Sequence, residues 1–187
     1  MAINVLIPIA NGSEEVETVC IFSALKRAGA TVTIASVETS LQVITSRGLK
    51  ITADRFIDEC AEMTFDLIAC PGGMPGALHL QNSKTLMDLL KKQRDSGRFF
   101  AGICSAPAVV FLPHGLLQGY QATCYPDADF VQQFPAGSYV DSPIVVDRHC
   151  VTSQGPGTAL AFALQLVELL FDRKTKDQLA QKMRVSL

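Results

Sequence analysis

Residues 98–107, RFFAGICSAP, carry an apolar run straight into a group of small residues closed by a proline, and their reading decides the fold. An apolar run of this length without polar alternation is a strand covered on both faces, as in a parallel sheet. Gly102, Ser105 and Ala106 are the small residues that a sharp strand-to-helix turn needs, because such a turn brings backbone segments too close for larger side chains. Cys104 stands at the tip of that turn. Three more runs of the same kind occur at 2–9 (AINVLIPI), 31–37 (TVTIASV) and 65–70 (FDLIAC).

Helical patterns lie between these runs. Residues 14–28 place apolar side chains at Val16, Val19, Cys20 and Leu25 and stop at Gly29, the residue type that favours a helix C-terminus. Ser83 reads as an N-cap for 84–96, with Leu86, Leu89 and Leu90 on one face and Gly97 as the stop. Residues 158–171 space Leu160, Leu164, Val167 and Phe171 along one stripe, and a last amphipathic helix starts near Thr175. Strands alternating with helices imply βαβ crossovers. The expected fold class is α/β: a single-domain, flavodoxin-like, doubly wound α/β sandwich with a mainly parallel sheet, spanning 1–187. Residues 42–52 (QVITSRGLKIT) read as a hairpin on a sheet edge, turning at Ser46-Arg47-Gly48. Residues 119–150 are punctuated by Tyr, Pro, Asp and Gly and are expected to hold short strands and a short helix.

Composition narrows the function. Of the 187 residues 48% are hydrophobic and 18% charged, and the net charge is -2. That is an ordinary globular balance, with no basic stripe to neutralise a phosphate backbone, so nucleic acid is not an expected partner. The start, Met1-Ala2-Ile3-Asn4, has no cationic segment and its apolar run breaks at Pro8 and Asn11, so neither a signal peptide nor a membrane span is expected, and the expected location is cytoplasmic. Six cysteines and three histidines show no CxxC pair and no zinc-ligand spacing, so no metal is expected and the thiols are read as reduced.

In an open parallel sheet ligands bind beyond the carboxyl ends of the strands. Four segments follow such ends. At Cys104 a helix N-terminus would favour thiolate over thiol and lower the pKa, making a nucleophile, although the need for a small residue at a crowded turn explains the cysteine as well. Gly72 and Gly73 can leave backbone N–H groups free to face an oxyanion, although a strand-to-helix turn explains them as well. Glu14, Glu15 and Glu17 suit the helix dipole. Glu17 differs through Val16, Val19 and Cys20, neighbours that would turn it inward, where desolvation raises a carboxyl pKa and lets it move a proton. Gly155-Pro156-Gly157-Thr158 lacks the surroundings of a nucleotide fingerprint and is read as a pocket wall.

Together GSEEVET (12–18), RAGATVT (27–33), TSRG (45–48), DLIACPGGMPGA (66–77), AGICSAP (101–107) and TSQGPGT (152–158) resemble the DJ-1/ThiJ/PfpI superfamily, in its DJ-1 and bacterial YajL branch. The resemblance implies that Cys104 is the nucleophile and redox-active thiol, that Glu17 is its protonated hydrogen-bond partner, and that the N–H groups of Gly73 and Ser105 face an oxyanion. It also implies a homodimer with the cysteine pocket near the contact, to which Arg27 and Arg47 correspond as dimer or anion-binding residues. Two departures matter. Ser105 stands where protease-like relatives carry a histidine, and Tyr125 stands where animal DJ-1 proteins bring a histidine near the cysteine. No His-x-Glu of the glutamine amidotransferases occurs, so hydrolase readings recede, and a thiazole-phosphate activity has no phosphate motif behind it.

The function the resemblance implies is a cysteine-dependent, glutathione-independent glyoxalase III or deglycase, acting without cofactor on α-oxoaldehydes such as methylglyoxal or on glycated thiols and amines. The alternative is a non-enzymatic oxidative-stress sensor or redox chaperone working through oxidation of Cys104.

Overall fold

The computed structural model describes residues 3–185, so Met1 and Ala2, the latter the first residue of the expected 2–9 run, lie outside the described residues. Fifteen strands and α-helices occur in order among the described residues. They are β1 (Asn4–Ile9), α1 (Glu15–Ala28), β2 (Thr31–Ser36), β3 (Gln42–Ile44), β4 (Lys50–Thr52), β5 (Arg55–Phe56), β6 (Leu67–Cys70), α2 (Gly76–Asn82), α3 (Lys84–Asp95), β7 (Phe99–Ile103), α4 (Ala128–Val131), β8 (Ile144–Asp147), β9 (Cys150–Ser153), α5 (Ala159–Leu170) and α6 (Arg173–Met183).

A seven-stranded sheet runs in the order β5-β2-β1-β6-β7-β9-β8. Every pairing is parallel except that of the edge strand β8 with β9. The sheet is buried on both faces, which is why its strands read as continuous apolar runs. In β1, Val5, Ile7 and Ile9 point into the layer formed by α1, α5 and α6, while Leu6 points into the layer formed by α2 and α3. This is the doubly wound α/β sandwich that the sequence implies. Among the described residues no helix is long and apolar enough to cross a membrane.

Local chemistry sets the element ends. Gly29 closes α1 at φ 100°, in the left-handed conformation that only glycine adopts freely. Ser83 accepts the Leu86 N–H and starts α3, and Asp172 accepts the Thr175 N–H and starts α6 two residues before the expected point.

Three expectations are corrected. The 42–52 hairpin forms, but as a separate two-stranded antiparallel sheet rather than on the edge of the main one. It docks on the β1–α1 loop, where Gly12 N–H donates to Ile44 and Ser46 N–H donates to Ser13. Segment 119–150 holds α4 and β8, yet the sheet gains a further internal strand, parallel to β7, that begins at the segment's last residue, in β9, which its Cys-Val-Thr-Ser composition does not advertise. The helix at 159–170 buries Phe162, Ala163 and Leu166 besides Leu164 and Val167, a wider face than one stripe, and leaves Leu160 and Phe171 only partly covered.

Candidate active site

The four loops after β1, β6, β7 and β9 meet at the carboxyl edge of the sheet. Cys104 directly succeeds β7 with φ 63°, a left-handed conformation that costs a residue with a side chain roughly 1–2 kcal/mol. Two hydrogen bonds hold it there: its N–H donates to the Ser153 carbonyl at 2.9 Å, and its own carbonyl accepts the Tyr125 N–H at 2.8 Å. Beyond Cys104 the chain does not form the regular α-helix expected from the sequence. Pro107–Phe111 make one π-helical turn and Leu112–His114 one 3-10 turn, the kind of irregularity that collects at functional sites.

Gly72 and Gly73 lie against this turn. A Cβ on Gly72 would stand 2.7 Å from the Cys104 Cβ and 2.9 Å from the Ser105 nitrogen. Gly73, at φ 88°, packs on the backbone of Gly12, Ser13 and Glu14 and has no room for a side chain either. The N–H groups of Gly73 and Ser105 are directed at the Cys104 sulfur and favour its thiolate.

Glu17 arrives from α1. Glu14 caps that helix, accepting the Glu17 N–H at 2.8 Å, and the inward face of the helix is Glu17, Thr18, Ile21, Ala24 and Leu25. Glu17 is therefore fully buried because of its place in the helical period. The apolar neighbours credited with turning it inward, Val16 and Val19, are 46% and 47% exposed on the other side. The Glu17 Oε2 accepts the Gly72 N–H at 2.7 Å, the carboxyl faces the Cys104 thiol, and Oε1 has no hydrogen-bond partner in the protein.

Burial pushes the Glu17 carboxyl up to about 7; the Gly72 N–H opposes the rise and the Glu14 charge adds to it. Burial likewise pushes the Cys104 thiol up to about 12, with the Glu17 charge next in size, against the lowering effect of the Gly73 and Ser105 amides. The expectation of a lowered thiol pKa is thus reversed, since two amides do not offset desolvation plus an adjacent carboxylate. The two groups titrate as a pair: a proton on Glu17 removes the charge that opposes the thiolate.

Cys104 opens into a cavity of about 420 Å3 that is also lined by Gly73, Ser105, Tyr125 and Pro156. Arg47 lines it too, brought in by the hairpin, whose turn is tied to α1 through Glu15: its Oε2 accepts from the Ser46 hydroxyl at 3.1 Å and the Arg47 N–H at 3.3 Å. Arg27 is not there. It sits in the last turn of α1, donating to Ser23. Gly72 stands behind the cysteine and holds Glu17, so it does not line the cavity.

Glu14, Ser46, Met74 and Phe130 complete the wall, and sequence reasoning named none of them as cavity residues. Phe130 belongs to α4, and the one legible signal there is the Asp127 cap, whose carboxylate accepts the Asp129 N–H. A larger cavity of about 560 Å3, walled by Leu112, Leu117, Tyr120 and Pro135, contains no cysteine, histidine or acid. Among the described residues no cluster of histidine, cysteine or acidic side chains is disposed to hold a metal ion.

Residues 3–169 match the model of the DJ-1/PfpI family. Over 177 residues the chain is 43% identical to protein DJ-1 homolog B of Arabidopsis thaliana, a match covering 95% of this chain and 40% of that protein. The chain thus spans under half the length of the Arabidopsis relatives it matches. It is 34% identical over 158 residues to the glutathione-independent glyoxalase DJR-1.2 of Caenorhabditis elegans, covering 84% of this chain and 83% of that one. The solved structure of oxidized Toxoplasma gondii DJ-1 superimposes with a TM-score of 0.97 at 42% identity, covering the whole of both chains. With its fold and its sequence in agreement, the chain belongs to the DJ-1/PfpI family.

Proposed function

We propose that this protein is a glutathione-independent glyoxalase that converts α-oxoaldehydes such as methylglyoxal into 2-hydroxy acids, with Cys104 as nucleophile and Glu17 as the group that moves protons. The observation that carries the reading is the buried Glu17 carboxyl, raised to about 7 and facing a thiol whose sulfur is met by two backbone amides. A carboxyl poised near neutral pH can both accept and return a proton. The relative from Caenorhabditis elegans that carries the name glyoxalase supports the same class.

In this reading Glu17 takes the thiol proton as the sulfur adds to the aldehyde carbon, and the Gly73 and Ser105 amides stabilise the oxygen that becomes anionic. Glu17 passes that proton to the oxygen, giving a hemithioacetal, and then removes the hydrogen from the former aldehyde carbon. The electron pair moves toward the ketone, and the enediolate that results takes the proton back from Glu17 at the ketone carbon while the proton of the first oxygen passes to the second. The product is a thioester of the 2-hydroxy acid, which water cleaves to release the acid and the free thiol. One carbon is oxidised and its neighbour reduced within the same molecule, so the step needs no outside oxidant. The sensor alternative asks for a standing thiolate, because peroxide oxidation follows thiolate character. A thiol held up near 12 suits turnover with an adjacent base better.

A homodimer belongs to this proposal. Val16 and Val19 on α1 and Ile44 and Leu49 on the hairpin are about half exposed, and the hairpin docks beside the start of α1. These large apolar side chains at one end of the molecule are suited to face a second copy. The test of the activity is incubation with methylglyoxal without glutathione, following lactate, with the Cys104→Ala and Glu17→Gln variants alongside. Lactate is expected from the unmodified protein alone; formation unaffected by Cys104→Ala would sink the proposal.

A further inference from the structure

Two polar atoms beside Cys104 have no partner in the protein, Glu17 Oε1 and Ser105 Oγ. The proton transfers of the proposed mechanism account for the first. They leave the second unexplained. Ser105 is 2% exposed and lines the cavity next to the nucleophile, with its hydroxyl oxygen itself covered, so that a ligand meets it once the side chain turns about χ1. Its backbone N–H is already directed at the sulfur, so the hydroxyl is a separate donor.

A buried hydroxyl without a partner is destabilising, and folded proteins keep few of them without a reason. Alanine would meet the turn's demand for a small side chain without that cost. A ligand that completes the hydrogen bond is the simplest reason for a hydroxyl here.

We infer that Ser105 Oγ is a further catalytic residue, donating to the second oxygen of a vicinal dicarbonyl and so selecting 1,2-dicarbonyls over simple aldehydes. The identity of the first oxygen, at the Gly73 and Ser105 amides, rests on the proposed glyoxalase reading. In a vicinal dicarbonyl the second oxygen is carried on the next carbon, and the hydroxyl belongs to the same residue as one of the two amides. When Glu17 removes the hydrogen from the hemithioacetal carbon, that C–H pair becomes the new carbon–carbon π bond. The ketone π pair then moves onto the second oxygen, where a hydroxyl donor stabilises the developing charge. The proton stays on Glu17 until it is returned to the ketone carbon, as the first oxygen gives its own proton to the second and becomes the thioester carbonyl. No electron leaves the substrate.

The test compares how methylglyoxal and propionaldehyde, which lacks the second oxygen, protect Cys104 from alkylation by iodoacetamide. It follows intact mass for the unmodified protein and for Ser105→Ala. Methylglyoxal is expected to protect the unmodified protein at concentrations ~10-fold lower than Ser105→Ala, a change that one hydrogen bond accounts for. Propionaldehyde is expected to protect both equally, and the differing electrophilicity of the two aldehydes cancels in each variant-to-parent ratio. Where lactate forms, its kcat should fall ~10- to 100-fold in Ser105→Ala. Equal protection of both proteins by methylglyoxal overturns the assignment, and so does an equal loss of protection by both aldehydes, which would mean that the turn itself had shifted. Protection that depends on Ser105 without any lactate would uphold the hydroxyl's role and remove the glyoxalase reading instead.

Discussion

Glu17 ties the chemistry of the site to the stability of the molecule. Its carboxyl is raised from the ordinary 4.5 to about 7, so the native state binds the proton more tightly than the unfolded chain does. The stability this contributes is fully present below pH 4.5 and is lost as pH rises through 7, amounting to about 3 kcal/mol. Urea midpoints measured from pH 4.5 to 8 should fall with pH in the parent and run flatter in Glu17→Gln. Equal slopes in the two proteins would show that Glu17 is not the group that titrates. Under the proposed mechanism the carboxylate is the active base, so kcat/KM should rise through pH 7, and Glu17→Gln should lower kcat ~100-fold or more. Gly72 is the other sensitive residue, since its hydrogen occupies the space beside Cys104. Gly72→Ala should cost ~1–3 kcal/mol of stability and also displace the thiol. Its alkylation rate would then differ from the parent's in a protein that still unfolds cooperatively.

The β3–β4 hairpin is the element through which the cavity acquires Arg47, and Glu15 is what ties its turn to α1. Glu15→Gln weakens two hydrogen bonds from that turn, one of them from a backbone N–H, without touching Cys104. The expected result is a KM for the aldehyde raised a few-fold with kcat little changed, the pattern of lost uniform binding. A fall in kcat alone would contradict it. Strand β7 makes the complementary point. Gly102 is a glycine because a Cβ there would meet the Phe111 ring at 2.7 Å, where the π-helical turn folds back over the sheet. Gly102→Ala should therefore cost ~1–3 kcal/mol by overpacking, and trimming the ring with Phe111→Leu in the same chain should recover part of it, as a double-mutant cycle in urea would show.

For the whole molecule, the doubly wound arrangement places two apolar layers around one sheet, and the exposed valines of α1 lie outside both. Val19→Glu should convert the proposed dimer to a monomer by light scattering without lowering the unfolding midpoint by more than the dimer's own contribution. A monomeric parent protein would refute the dimer. The sequence by itself determined the class of fold, because a strand buried on both faces has to read as an unbroken apolar run and the helices between such strands have to start and stop on residues like Ser83 and Gly29. It also singled out Cys104, since the small residues Gly102, Ser105 and Ala106 around it are what a sharp turn at the end of a strand requires. The tertiary structure alone decided the electrostatics. Whether Cys104 is a thiolate depends on how much water the cavity admits and on the charge of Glu17, which lies in a different element, and neither is encoded locally. The partners of Glu17 and the β9 strand that holds Cys104 in its left-handed conformation are likewise settled by packing between segments far apart in the chain. Segment 119–150 contributes Tyr125 and Phe130 to the cavity through long-range hydrogen bonding and packing, for which no short-range pattern exists to be read.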